Sequence, residues 1–235
     1  MVSLDDSVAP SGLLDEADWE LRLAPSEAAL GVSMAVKLLL TGQEEHPACA
    51  DPVFDEKCGS ITSDSYGWER ATDVPLGCIF FTICQFTKAL DTGDDSGIVI
   101  HALLLLERLI RRVPGVLRGS TLRPLLLTAF SLSAKSYFDE QLSDIVPALR
   151  QLGVDTITAE RLLELELAFL GHIGWKIGSP RHVYATYVFE VRSLISSQRA
   201  LLAGEYADLV DAARSLDGVS VAREDLVARP PGPPP

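Results

Sequence analysis

Residues 120–141 read Ser-Thr-Leu-Arg-Pro-Leu-Leu-Leu-Thr-Ala-Phe-Ser-Leu-Ser-Ala-Lys-Ser-Tyr-Phe-Asp-Glu-Gln, and ten of them in a row, 125–134, carry no charge. The predicted helix starts at Ser120, and Pro124 falls in its first turn, where a missing N–H is tolerated. A helix that is apolar on every side is a buried helix. The stretch therefore predicts a central helix over 120–137 that is surrounded by the other helices.

Helical patterns lie on both sides of this stretch, and no convincing strand alternation occurs. Thr158 and Gly174 have the residue types that begin and end a helix, and so do Ser179 and Pro180 at the start of the next one. The predicted helices are 13–23, 26–40, 75–90, 96–113, 143–152, 158–173, 179–196 and 199–215. The sequence therefore predicts an all-α fold, a five-helix bundle around a central buried helix, with N-terminal helices and a short C-terminal helical extension.

The charge is uneven along the 235 residues, whose net charge is −13. Residues 1–75 hold 15 acidic and four basic residues, whereas residues 76–194 hold 12 of each. We interpret the chain as an acidic N-terminal extension with a linker over 41–73 (1–73), a neutral body (74–196), a C-terminal helix (197–217) and a proline-rich tail (218–235). A neutral body with an acidic arm argues against nucleic acid as a partner, because phosphate backbones require clustered lysine and arginine. The acidic arm itself is typical of a solvated segment.

The composition also favours an intracellular protein, cytoplasmic or nuclear. No run of 18 apolar residues predicts a transmembrane segment, the acidic start lacks a signal core, and position two lacks the glycine of a myristoylation site. None of the four cysteines forms a Cys-x-x-Cys pair, so we expect reduced thiols, no metal site and no cofactor. The four are Cys49, Cys58, Cys78 and Cys84, of which Cys78 and Cys84 are expected in the core.

Four separated motifs follow one another in a single order. Leu-Glu-Arg-Leu occupies 106–109, Ala-Lys followed by Asp-Glu occupies 134–140, Leu-Glu-Leu-Ala-Phe-Leu-Gly-His-Ile-Gly-Trp occupies 165–175, and Val-Tyr-Ala-Thr-Tyr-Val-Phe-Glu-Val-Arg-Ser-Leu occupies 183–194. Residues 74–196 with these motifs resemble a single cyclin box, and the nearest likeness is to cyclin Y and the phosphate-system (P-type) cyclins. The chain departs from that branch where cyclin Y has a tryptophan, since Tyr137 and Phe138 stand there. It also lacks the Met-Arg-x-x-Leu of cell-cycle cyclins in its first helix.

The resemblance implies a regulatory subunit without an active site of its own, which forms a heterodimer with a cyclin-dependent kinase. By motif position, Lys135 and Glu166 inherit the role of facing the kinase and holding its regulatory helix. Phe138, Leu162 and Phe169 are the expected apolar contacts around them. A second complete box is absent, and no Gly-x-Ser-x-Gly, His-Glu-x-x-His or phosphate-binding glycine loop occurs.

Other interpretations of these residues stay open. Lys135 also suits a helix C-terminus. Glu166 points about 200° away from Glu164, so the two do not share one solvent face and one of them borders an interface or packs unusually. His101, Trp175 and Tyr184 are more typical of a core than of a contact surface. A kinase-binding scaffold that does not activate remains an alternative, and a transcription factor like general factor B, which needs two boxes and a zinc ribbon, is a weaker one.

Overall fold

The computed structural model describes residues 23–43, 46, 52–55, 74–89, 96–137, 145–146, 157–198 and 209. Two 3-10 turns, Pro52–Phe54 and Gly119–Thr121, accompany six helices. The helices are α1 Pro25–Gln43, α2 Leu76–Ala89, α3 Ser96–Arg112, α4 Leu122–Tyr137, α5 Ala159–Ile173 and α6 Arg181–Gln198. No strand occurs in these residues, so the predicted all-α class is confirmed, while the cyclin-box arrangement itself stays a prediction.

Helix α4 is the buried helix that the uncharged run predicts. Every residue from Leu122 to Ala134 is buried, and only the last turn, which contains Lys135 and Tyr137, emerges into solvent. The helix begins at Leu122, two residues later than predicted, because Gly119–Thr121 forms a 3-10 turn. The backbone N–H of Arg118, just before that turn, donates to Thr121 Oγ1 at 2.9 Å. The buried part of α4 therefore ends just before Lys135, a predicted site residue.

Helix α3 shares the central position with α4. It packs on α1, α4, α5 and α6, whereas α4 packs on α2, α3 and α5. Its residues from Ser96 to Leu106 are buried, as predicted for His101, which is 5% exposed. Among the described helices, α3 therefore shares the central position that the sequence assigns to α4.

Helix α1 packs into the same hydrophobic core as the body, on α2, α3 and α6. Its contact with α6 is close at Gly31, where an added Cβ would lie 2.4 Å from Val191 Cγ1. The helix extends to Gln43, three residues beyond its predicted end at Leu40. The helix that the sequence places in the N-terminal extension is therefore an integral layer of the bundle.

Helix α5 has both of its predicted caps. The Thr158 side chain accepts from the backbone N–H of Arg161 at 3.1 Å, and Gly174 ends the helix with φ 67°. The N–H of Trp175 then donates to the carbonyl of Leu170 at 2.9 Å. These bonds satisfy backbone groups that a helix end leaves without partners, so the position of α5 along the chain is well determined.

The predicted linker over 41–73 contains a packed segment. Phe54, in the turn Pro52–Phe54, is fully buried, and its ring meets that of Phe169 edge-on with centroids 6.4 Å apart. Of the predicted helix 143–152, only Ile145 and Val146 lie among the described residues, and both are helical. Of the predicted helix 199–215, only Leu209 is described, and it is helical and buried. Nearly all of 13–23 and the proline-rich tail lie outside the described residues. Within the described part of the chain, no helix is long and apolar enough to cross a bilayer.

Candidate functional site

The structure brings the two principal predicted site residues together. Lys135 lies in the last turn of α4, and Glu166 lies in the middle of α5, 31 residues later. Lys135 Nζ nevertheless lies 2.8 Å from Glu166 Oε1 and 2.7 Å from Oε2. The contact of α4 with α5 sets this geometry. One ammonium group therefore bonds both oxygens of one carboxylate.

Glu166 is a buried carboxylate, only 4% exposed. The hydroxyl of Ser131, itself buried on α4, donates to Glu166 Oε1 at 2.5 Å. A charge in the interior requires a partner and hydrogen bonds to its lone pairs, and Lys135 and Ser131 supply both. Glu164, by contrast, has a side chain that is 55% exposed. The prediction that one of the two glutamates packs unusually is confirmed, and Glu166 is the one.

Lys135 is the accessible member of the pair, with a side chain that is 43% exposed. An ammonium group carries three N–H donors, and two of them satisfy the two oxygens of Glu166. Because the Lys135 side chain is partly exposed, its ammonium group also reaches solvent. Chemically, the pair is a hydrogen-bond donor held in a fixed position by a buried anion.

Two of the three predicted apolar contacts, Leu162 and Phe169, do not form this surface. Phe138 lies outside the described residues. Leu162 and Phe169 are 4% and 0% exposed, so they belong to the core beneath the site and offer no side-chain surface to a partner. The physical reason is helical phase, since 162, 165 and 169 are three and four residues apart and share the inward face of α5 with fully buried Leu165.

Two other leucines take that place on the outward face of α5. Leu163 and Leu167 are 54% and 48% exposed, lie one turn apart, and flank the position of Glu166. We call them the α5 ridge. Large apolar side chains at adjacent exposed positions are typical of contact surfaces. Neither leucine was predicted as a contact residue, although the signal is present in the sequence, where the apolar residues of α5 extend beyond a single inward stripe.

Helix α3 links the remaining motifs to one another. Glu107 Oε2 accepts from the Tyr187 hydroxyl at 2.8 Å and from Arg111 Nη2 at 2.8 Å. Arg108 donates to the carbonyls of Lys176, Ile177 and Gly178 in the loop 174–180 between α5 and α6, the α5–α6 loop. The Leu-Glu-Arg-Leu motif thus fixes both the loop and the helix that follow α5.

His101, buried on α3, also holds the α5–α6 loop in place. Its Nε2 lies 3.1 Å from the carbonyl oxygen of Ile177, and its Nδ1 lies 2.9 Å from Ser133 Oγ. A carbonyl only accepts, so Nε2 carries the proton in the neutral ring. Burial lowers the pKa of His101, the bond to Ile177 opposes that change, and the nearby charge of Arg108 lowers the pKa further.

Of the two aromatic residues predicted in the core, Trp175 and Tyr184, only Tyr184 packs against it. Trp175 was expected in the core, but it is 63% exposed and has a positive φ of 61°. It follows Gly174 at the end of α5. Tyr184 is half-buried and packs against the core. Tyr187 is buried, and burial followed by its bond to Glu107 raises the pKa of its hydroxyl.

The described residues contain no cluster of histidine, cysteine, aspartate or glutamate that fits a metal ion. Cys78 and Cys84 lie on α2 without a disulfide bond, and both are half-buried. Cys84 packs against the core, as expected. No family model matches this chain, and searches of curated proteins and of solved structures return no significant match. Functional inference therefore rests on the residues and their geometry.

Proposed function

We propose that the chain is a cyclin-like regulatory subunit that binds a cyclin-dependent protein kinase and holds its regulatory helix in the active position. The observation that carries the proposal is the ion pair between Lys135 and Glu166. Two residues chosen by motif position, 31 apart in sequence, meet at the surface where α4 leaves the core. The order of the four motifs and the all-helical architecture support the same function.

The proposed mechanism is a shift of the kinase population. Phosphoryl transfer requires the strand lysine of a kinase to pair with a glutamate on its mobile helix. A surface that binds only the turned-in state of that helix favours the active kinase. A hundredfold preference for that state is equivalent to about 2.7 kcal/mol.

Each part of the site has a separate task in this mechanism. Lys135 donates to an acceptor on the kinase, and the α5 ridge of Leu163 and Leu167 supplies apolar contact. Glu166 and Ser131 act inside the protein, because Glu166 is 4% exposed and its oxygens already bond Lys135 and Ser131. They keep the ammonium group of Lys135 in one place, which reduces the loss of side-chain entropy on binding.

The test is affinity capture from cells of the natural source, followed by a protein kinase assay of the captured material. We expect the wild-type chain to recover an active cyclin-dependent kinase and the Lys135→Ala/Glu166→Ala variant to lose it. Lys88→Ala is the matched control, since Lys88 is an exposed lysine at the end of α2. Thermal melts of all three chains separate lost binding from lost folding.

Three results would change the proposal in different ways. Recovery of an inactive kinase would favour a non-activating scaffold. Equal recovery of kinase by the wild type and the double variant would leave the function standing and remove Lys135 and Glu166 from the interface. Recovery of no kinase by the folded wild type would contradict the proposed function.

A further inference from the structure

A second surface lies where the C-terminal turns of α3 meet the α5–α6 loop. The bond from Arg108 Nη1 to the carbonyl of Lys176 places the loop against α3. Arg112 follows Arg108 by one turn on the same stripe of α3, and Arg111 lies beside it. We call Arg108, Arg111, Arg112 and Lys176 the basic island. It stands out on a chain whose net charge is −13.

The cations of the basic island are accessible. The Arg111 side chain is 75% exposed although it pairs with Glu107, and Arg112 and Lys176 are also exposed. Burial lowers the pKa of Arg108, Tyr187 opposes that change, and the neighbouring charge of Arg111 lowers the pKa further. Basic residues at a helix C-terminus are common because of the helix dipole. The helix dipole explains the basic residues, but it does not explain the exposed Trp175 next to Lys176.

Trp175 directly precedes Lys176 and is 63% exposed. Its φ of 61° and that of Gly174, 67°, place two consecutive residues in the left-handed region, which is uncommon for a non-glycine residue. The loop is held in this form by Arg108, which bonds three of its carbonyls, and by His101, which bonds Ile177. A large aromatic side chain is thus displayed on a backbone that is already ordered.

We propose that the basic island and Trp175 together bind an anionic peptide segment of a partner protein. Guanidinium groups match the geometry of carboxylates and phosphates, so Arg111 and Arg112, with Lys176, would take the anionic groups. Trp175 would contact an apolar side chain of the same segment, and arginine and tryptophan are the residues most enriched at interface hot spots. The proposal is independent of the proposed kinase-binding function, because it uses none of the residues of that site.

Charge favours a peptide over nucleic acid. A nucleic acid backbone would extend beyond the four cations of the basic island over a body, residues 76–194, that holds as many acidic as basic residues. A short segment interacts mainly with the basic island itself, because salt screens the interaction between surface charges beyond about 8 Å at physiological ionic strength. The occupant is therefore a segment with a few anionic side chains next to an apolar one.

The test is binding of the full chain to an array of random peptides that includes glutamate, glutamine and phosphoserine. We expect enrichment of peptides with glutamate or phosphoserine beside an apolar residue, and binding that weakens as salt is raised. A preference for glutamate or for phosphoserine identifies which source of anion the surface recognises. The Arg112→Glu/Lys176→Glu variant should lose the enrichment, and Lys88→Glu, an exposed charge reversal at the end of α2, should keep it.

Trp175→Gly separates binding from folding. Glycine adopts a φ of 61° without strain, so the melting temperature should not fall, whereas affinity for the selected peptides should fall about tenfold or more. Absence of any anionic preference in the array would overturn the proposal. So would unchanged binding by both Trp175→Gly and Arg112→Glu/Lys176→Glu, and so would selective binding of oligonucleotides in place of peptides.

Discussion

Glu166 shows how one buried charge organises a surface. Its carboxylate is 4% exposed and accepts bonds from Lys135 and Ser131, so it fixes a lysine that remains 43% exposed. Buried ion pairs often add little net stability, because desolvation offsets most of the attraction. The pair is therefore better explained as a means of holding Lys135 in position than as a source of stability.

The first prediction concerns the coupling of these two residues. Lys135→Met should lower the free energy of unfolding by about 1–3 kcal/mol, because it leaves a buried carboxylate without its cation. Lys135→Met/Glu166→Met should cost less than the lysine substitution alone, since it removes the buried charge as well. Urea unfolding of both variants and of Glu166→Met measures the coupling. Additive costs would show that the pair does not form in solution.

The second prediction concerns pH. Burial first, and Arg108 next, lower the pKa of His101 in the folded protein, so the unfolded chain binds a proton there more readily. The stability contributed by neutral His101 is fully present above the unfolded pKa, about 6.5, and is lost as the pH falls through that value toward the folded pKa. Unfolding free energies at pH values on both sides of 6.5 should show this loss.

His101→Gln is the control for that experiment. Glutamine can still donate to the Ile177 carbonyl but does not titrate, so the variant should lose part of the dependence of stability on pH. Identical pH profiles for the wild type and His101→Gln would contradict the role assigned to His101.

At the scale of elements, the seam between α1 and α6 depends on a single missing side chain. Gly31→Ala would place a Cβ 2.4 Å from Val191 Cγ1 and 2.9 Å from Ile195 Cδ1, which forces the helices or side chains to shift. The substitution should cost about 1–3 kcal/mol through overpacking.

Gly42→Ala is its matched control. In the same helix, a Cβ at Gly42 meets nothing within 4 Å, so alanine should raise stability by about 0.5–1 kcal/mol. Thermal melts of the two variants compare them directly. If Gly31→Ala melted at the same temperature as Gly42→Ala or at a higher one, α1 would not pack on α6 as described.

The turn Pro52–Phe54 supports α5 from the side opposite the ridge. Phe54 is fully buried against Phe169, and Arg161 Nη2 donates to the Val53 carbonyl at 2.5 Å. Phe54→Ala should cost about 3–5 kcal/mol, as expected for a buried phenylalanine. Phe81→Ala, at a ring that is 48% exposed, should cost far less. Equal costs in urea unfolding would contradict the packing of this segment.

The sequence predicts the helices well and their faces poorly. Caps such as Thr158 and Gly174 are local signals, and the uncharged run of α4 marks burial without ambiguity. Helix α5 is different, because Leu162, Leu163 and Leu167 spread apolar character around much of its circumference. Which leucine points inward depends on how α5 packs on α4, and local pattern does not contain that information.

The two principal residues of the candidate site could be predicted from the sequence, but the directions of their side chains could not. Motif position brings Lys135 and Glu166 into one hypothesis, but the inward direction of Glu166 and its bond to Ser131 depend on the register of two helices. The exposure of Trp175 depends on a loop conformation that Arg108 fixes from a distant part of the chain. The buried Phe54 lies in a stretch without periodicity, so no pattern indicates it.

At the scale of the whole molecule, the described helices share one core to which α1 and Phe54 both contribute. The candidate kinase site lies where α4 and α5 meet, and the basic island lies where α3 meets the α5–α6 loop. A close-packed core gives each surface a fixed shape, which is what selection of one state of a partner requires.

The most direct test of the central claim is a reconstituted kinase assay with the kinase that the chain recovers. We expect the wild type to raise kinase activity and Leu163→Glu to abolish that effect, because it places a charge on the α5 ridge without disturbing the core. Phe189→Glu is the control, an equally exposed apolar residue on α6 that should activate as well as the wild type. Full activation by Leu163→Glu and Lys135→Ala, both folded, would contradict the claim that this face of α4 and α5 holds the kinase.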